Sequence, residues 1–196
     1  MNGLLILGAG QFGLMVKEIA ESMNCFDKID FLDDNNEIAI GKLEDHEKFS
    51  LEYRYAAVAI GNPEIRLSYI QKLEEACFTV AVIASPRAYI APSAQIMKGS
   101  IIEPLAAVQA NSVVAIGSII SSGAVVRHNA FVGDACHVDC NAVVMSGSIV
   151  PAKTKVEACT VYRKDVAEAT KTITVKIPSG GPEPIGGLEY KFEDGM

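Results

Sequence analysis

Apolar positions in the first part of the chain fall into short continuous runs separated by helically spaced ones. Leu4–Leu7 is such a run, closed by Gly8-Ala9-Gly10-Gln11-Phe12-Gly13, after which Phe12, Val16, Ile19, Ala20 and Met23 recur at helical spacing. Ile29–Leu32 ends at Asp33-Asp34, and Ala56–Ile60 ends at Gly61-Asn62-Pro63. A helical stretch with Ile65, Tyr69, Ile70 and Leu73 follows, and Phe78–Ile83 closes the set. Strands alternating with helices predict a small parallel sheet.

From Ile90 the period changes to six. Ile90, Ile96, Ile102, Val108, Val114, Ile120, Val126, Val132, Val138, Val144, Val150 and Val156 are aliphatic at every step. Four residues after each stands a small one: Ala94, Ser100, Ala106, Ser112, Ser118, Ala124, Ala130, Cys136, Ala142, Ser148, Thr154 and Thr160. That pattern predicts a left-handed parallel β-helix, in which three hexads close one coil, the aliphatic stack fills the prism and the small slot leaves room at the corner. A coiled coil or helical solenoid is excluded, because neither has a period of six and Gly or Pro falls in several hexads. The last aliphatic position in register is Val156, so the open end needs a cap. Residues 172–177, Thr-Ile-Thr-Val-Lys-Ile, alternate as a strand does and are expected to supply it, with 180–187 as a loop; a tail without structure is the alternative.

Charge divides the chain in the same place. All seven of the excess negative charges arise outside the repeat, since residues 90–161 carry only Lys98, Glu103, Arg127, Asp134, Asp139, Lys153, Lys155 and Glu157, four of each sign. Ser85-Pro86 and Ala91-Pro92 bracket the change, which predicts an α/β domain at 1–86, a β-helix at 87–166 and a tail at 167–196. A net charge of −7 argues against nucleic acid or an anionic membrane as partner. No apolar stretch approaches the ~18 residues of a membrane span. Five Cys, without a C-x-x-C pair, and no basic segment leading into an apolar run predict reduced thiols in a cytoplasm.

Gly8, Gly10 and Gly13 satisfy G-x-G-x-x-G between a strand and a helix, where backbone can approach a phosphate and the helix N-terminus stabilises its charge. Asp33, at the end of the next strand, is placed to bond ribose hydroxyls or a base edge. A tight strand-to-helix turn with no ligand is the competing reading of the same glycines. Gly61-Asn62-Pro63 is either a second ligand loop or a helix start with Pro at its first position.

These features in combination resemble the hexapeptide-repeat sugar acyltransferases with an N-terminal Rossmann-like domain, the group of sialic acid O-acetyltransferases and UDP-4-amino-sugar N-acetyltransferases. The likeness runs from about residue 3 to about 166. It is carried by Gly8–Gly13, Phe31-Leu32-Asp33-Asp34, Ala59-Ile60-Gly61-Asn62-Pro63-Glu64-Ile65-Arg66, Gly123-Ala124-Val125-Val126-Arg127-His128 and Gly133-Asp134-Ala135-Cys136-His137. The resemblance implies transfer from acetyl-CoA to an amino or hydroxyl group of a UDP-sugar or related sugar by a homotrimer, with acyl-CoA in the cleft between adjacent β-helices and no metal. It implies His128 as general base with Asn129 beside it, and His137, Ser146 and Gly147 toward acyl-CoA, His137 at its carbonyl. Gly8, Gly10, Gln11, Phe12, Gly13, Asp33, Asp34, Gly61, Asn62 and Arg66 fall to the sugar nucleotide. The chain departs from the family where an acidic residue often follows the base, here Asn129, and where a glycine-loop histidine is replaced by Phe12.

The residues themselves support part of this. Imidazole, with an ordinary pKa near ~6.5, suits removal of a nucleophile's proton at neutral pH. His128 and His137 both occupy outward slots, and nine residues is half a coil, so the rings leave different sides of one prism. Serving one site therefore requires neighbouring chains. Cys136 lies in the inward slot, which separates it from His137 and argues against both a zinc cluster and a cysteine nucleophile. A γ-class carbonic anhydrase would need three metal-binding His, and the repeat holds two. Two other functions fit parts of the pattern: a non-catalytic sugar- or nucleotide-binding protein on a degenerate transferase scaffold, and a nicotinamide-dependent oxidoreductase.

Overall fold

The computed structural model describes residues 2–163. Four parallel strands form the first sheet in the order β2-β1-β3-β4, with β1 at Gly3–Leu7, β2 at Lys28–Leu32, β3 at Tyr55–Val58 and β4 at Thr79–Val80. Central β1 is buried along its whole length because both of its faces are covered. Leu4 and Ile6 point to one side, where Val16, Ile19 and Ala20 of helix α1 (Gln11–Ser22) pack. Leu5 and Leu7 point to the other, against Ile70 and Leu73 of helix α2 (Pro63–Glu75). The two-residue alternation of a strand and the spacing of the helical residues thus meet as the sequence predicts. A 3₁₀ helix at Leu43–Phe49 had no counterpart in the apolar pattern.

The repeat forms a three-faced β-helix. Two-residue strands pair in parallel with those eighteen residues on, from Ile83↔Ile101 through Val125↔Val143 to Val143↔Val161, giving faces of four, five and five strands among the described residues. The aliphatic slot is closed to solvent from Ile102 to Val150, and burying each such side chain contributes about 1.5–3 kcal/mol. Serines in the small slot are satisfied across the corner: Ser100, Ser112 and Ser118 donate from Oγ to the carbonyls of Ala115, Arg127 and Gly133 at 2.9, 2.8 and 2.7 Å. The small slot is therefore also a hydrogen-bonding slot.

Corners carry a second period of six. Every sixth residue from Gly99 through Leu105, Asn111, Gly117, Gly123, Asn129, Ala135, Asn141, Gly147 and Lys153 to Cys159 has φ between 51° and 72°. Gly and Asn dominate because this left-handed conformation costs other residues about 1–2 kcal/mol.

Both ends of the prism extend beyond the aliphatic series. Ile83–Ala84, expected to close the first sheet, instead pairs with Ile101–Ile102 as the first strand of the β-helix. At the other end Tyr162 takes the interior slot after Val156, its ring packing on the core and its hydroxyl donating to the Ile149 carbonyl at 3.1 Å. An aromatic residue in that slot hid this step from an aliphatic reading. The expected capping strand at 172–177 and loop at 180–187 lie outside the described residues.

The two regions share a core. Ile83 and Ile101 are buried with α1 and β1, and a Cβ on Gly99 or Gly117 would lie 2.7 Å from Cδ1 of Ile70, so α2 packs directly on a glycine edge of the prism.

Candidate active site

At the carboxyl end of β1 the three glycines have different reasons. A Cβ on Gly13 would lie 2.0 Å from the Gly8 carbonyl oxygen, and one on Gly8 (φ +104°) would lie 2.7 Å from that of Ala59. Gly10 faces open space and forms the N-cap of α1 without a side-chain cap. Packing accounts for Gly8 and Gly13, and Gly10 leaves the positive end of the helix uncovered. Gln11 is exposed and Phe12 half-buried beside it.

Asp33 is committed within this loop. Its Oδ2 accepts from the Ala9 amide at 2.7 Å and its Oδ1 from the Asn35 amide at 2.9 Å. The Ala9 bond is the main reason its carboxyl is held below the usual range. Asp34 is exposed, with Oδ1 accepting from the Leu43 amide at 3.1 Å.

Gly61-Asn62-Pro63 starts a helix: Pro63 occupies the first turn and Asn62 Oδ1 accepts from the Ile65 amide at 3.0 Å. Arg66 is 1% exposed and has no face toward a ligand. Its guanidinium donates to the carbonyls of Gly117 at 2.6 Å, Ile60 at 2.7 Å, Gly61 at 2.8 Å and Ala135 at 2.9 Å. Burial lowers its pKa to about 10, still charged at neutral pH. The expected place of Arg66 on the sugar nucleotide gives way to a different role, a clamp between loop 60–61 and two stacked corners of the prism. Periodicity did not expose this, since Arg66 sits beside the apolar positions of α2.

His128 is exposed at a corner, next to Asn129 in the left-handed slot. Ser146, one coil above, places Oγ 3.0 Å from His128 Nε2, and the Asn129 amide nitrogen lies 3.2 Å from Nδ1. The Gly147 amide donates to the His128 carbonyl at 3.2 Å, which ties the two coils together. Four residues of the expected set, His128, Asn129, Ser146 and Gly147, are thereby brought together. Both ring nitrogens have polar partners, so the imidazole is held in one orientation while its edge faces solvent.

His137 stands elsewhere, on the face that pairs Ile119 with His137. It is half-buried, and Ser121 Oγ lies 2.9 Å from Nε2, with Asp139 Oδ1 at 3.8 Å. Burial is the largest influence on its pKa and lowers it. Cys136 points inward, with Sγ 2.9 Å from the Pro151 carbonyl, and burial pushes its thiol up to about 11. Among the described residues no group of three or more His, Cys, Asp or Glu is arranged to hold a metal ion, and no helix is long and apolar enough to cross a membrane.

Residues 3–73 match the family model described as the PglD N-terminal domain. A sequence search against curated proteins finds no match. Among solved structures, a variant of perosamine N-acetyltransferase from Caulobacter crescentus in complex with CoA and GDP-perosamine is 20% identical, with a TM-score of 0.74 over 84% of this chain and 90% of that one. The acetyltransferase domain of PglB from Neisseria gonorrhoeae in complex with acetyl coenzyme A is 25% identical, with a TM-score of 0.64 over 82% and 93%. Without that ligand the same domain gives 24% and 0.69 over 84% and 93%. The resemblance read from the motifs thus holds in fold, an N-terminal Rossmann-like region followed by a parallel β-helix.

Proposed function

We propose that the chain is an acetyl-CoA-dependent N- or O-acetyltransferase whose acceptor is a nucleotide-linked amino sugar or a sialic-acid-like sugar. The observation that carries this reading is the exposed His128 corner, an imidazole oriented by Ser146 and Asn129, in a fold shared with proteins solved with CoA, acetyl coenzyme A and GDP-perosamine. A thioester carbonyl is attacked by the acceptor nitrogen or oxygen, His128 takes the nucleophile's proton, and CoA leaves as the thiol. The open N-terminus of α1 at Gly10, with exposed Gln11 and Asp34, receives the nucleotide phosphates and sugar.

The outward slots beside His128 support a homotrimer. One adjoining face presents Ala107, Val125 and Val143, and the other presents Val113, Phe131 and Ile149, all half-buried in the single chain. Apolar columns of this kind on two faces meeting at one corner are suited to packing against a neighbouring prism.

Purified protein with acetyl-CoA and a panel of UDP- and GDP-linked amino sugars should release CoA thiol only when an acceptor is present, and His128→Ala should remove about 10²–10⁴-fold of the turnover while keeping the melting temperature. Unimpaired turnover in that variant would overturn the assignment of the base. Binding of both ligands in calorimetry without thiol release would favour a non-catalytic scaffold.

A further inference from the structure

The face carrying His137 is an outward column of Ile83, Ile101, Ile119, His137 and Lys155, stacked at eighteen-residue intervals. The first three are buried and His137 is the first to emerge. Beside it, at the same interval, stand Glu103, Ser121 and Asp139. Glu103 is only 6% exposed, a carboxylate that the transfer mechanism above leaves unused.

Its bonds have a definite direction. Oε2 accepts from the Ser122 amide at 2.9 Å and from Ser122 Oγ at 3.0 Å, and Oε1 accepts from Ser121 Oγ at 3.2 Å. A serine hydroxyl has one proton. With that proton given to Glu103, the Ser121 oxygen can only accept, and what it accepts is the N–H at His137 Nε2, 2.9 Å away. Asp139 Oδ1, at 3.8 Å from the same nitrogen, is also an acceptor.

We propose that Glu103 and Ser121 are positioning residues that hold His137 as the Nε2–H tautomer, leaving a bare Nδ1 that receives a hydrogen bond from an N–H of the bound substrates. A neutral His137 in this form cannot donate to the thioester carbonyl, which differs from the role the family resemblance implies. The tautomer stands on the protein alone, and only its use by substrate rests on the acyltransferase reading. Charges around the ring oppose one another: Asp139 and Glu103 favour its protonated form, Lys155 and Arg66 disfavour it, and burial, the largest influence, lowers its pKa and so favours the neutral ring. Lys155 is itself held by Asp139 Oδ2 at 3.1 Å and Glu157 at 2.9 Å.

The test is histidine-selective ¹³C/¹⁵N NMR of the full chain without ligand. Only His46, His128 and His137 contribute, so single substitutions assign the signals. His137 should show a protonated Nε2 and an unprotonated Nδ1. Ser121→Ala and Glu103→Gln should each shift it toward a tautomer mixture, and Ser121→Thr should retain the wild-type signal. In parallel, the KM for acetyl-CoA should rise about tenfold in Ser121→Ala and stay near wild type in Ser121→Thr, the effect of one net hydrogen bond. An Nδ1–H signal in the wild type, or an unchanged tautomer in Ser121→Ala, overturns the proposal even if Glu103→Gln fails to fold. Absence of acetyl-CoA binding in wild type, with the tautomer as expected, would instead count against the acyltransferase reading and against substrate use of Nδ1.

Discussion

Asn129 has two jobs at once. Its φ of 58° belongs to the left-handed corner series, in which Asn111 and Asn141 occupy equivalent places, and its side chain meets His128. Glycine keeps the backbone conformation without the amide, whereas alanine loses both, so the two substitutions separate the roles. Asn129→Gly should lower turnover with little change in melting temperature. Asn129→Ala should lower both, by about 1 kcal/mol or more in stability. Equal turnover in wild type and Asn129→Gly would show that the amide does not orient the base. The same position shows a limit of the sequence reading: against the family pattern Asn129 looks like a missing acid, and only the corner geometry supplies a backbone reason for it. His128 and its neighbours were legible because a strict period of six states which slots face outward. Glu103 was not, since a lone acid in a charge-poor repeat looks like any surface carboxylate until three donors are seen around it.

At the scale of elements, the glycine turn and the Arg66 clamp hold the carboxyl end of β1 and the start of α2 in shape. Gly13 sits against the Gly8 carbonyl, whereas a Cβ on Gly10 would meet nothing within 4 Å. Gly13→Ala should therefore unfold the α1 entry and depress the melting temperature sharply, whereas Gly10→Ala should leave stability nearly intact and weaken nucleotide-sugar binding in calorimetry. Identical stability of the two variants would refute this division. The sheet and its helices were legible from strand and helix periods, including Pro63 at the start of α2. The transition at Ile83 was not, because an apolar pair that leaves one sheet to begin another has the same pattern as a strand that stays. Arg66 likewise hid its role: its partners are carbonyls of Gly117 and Ala135, distant in sequence and without a side-chain code.

For the molecule as a whole, the separation of His128 and His137 on different sides of one prism has a direct test in the proposed trimer. Mixtures of His128→Ala and His137→Ala chains, unfolded and refolded together, should regain activity above that of either variant alone, because some interfaces then carry both intact rings. Recovery should depend on subunit exchange and be absent when pre-formed homotrimers are simply mixed. No recovery after co-refolding, with mixed trimers verified by mass spectrometry, would mean that the two histidines do not share a site across an interface.

The eighteen-residue pairing also bears on how the chain is made. Each strand of the prism needs only the coil before it, and the first coil is seated on Ile83 and Ile101 within the core of the α/β sheet. A chain emerging amino end first therefore finds its docking edge already complete at every step, and growth proceeds upward from a finished foundation, as in solenoids whose units contact only their neighbours. Along the prism the order of synthesis and the order of stacking are the same, so each new coil meets a partner that has already been made.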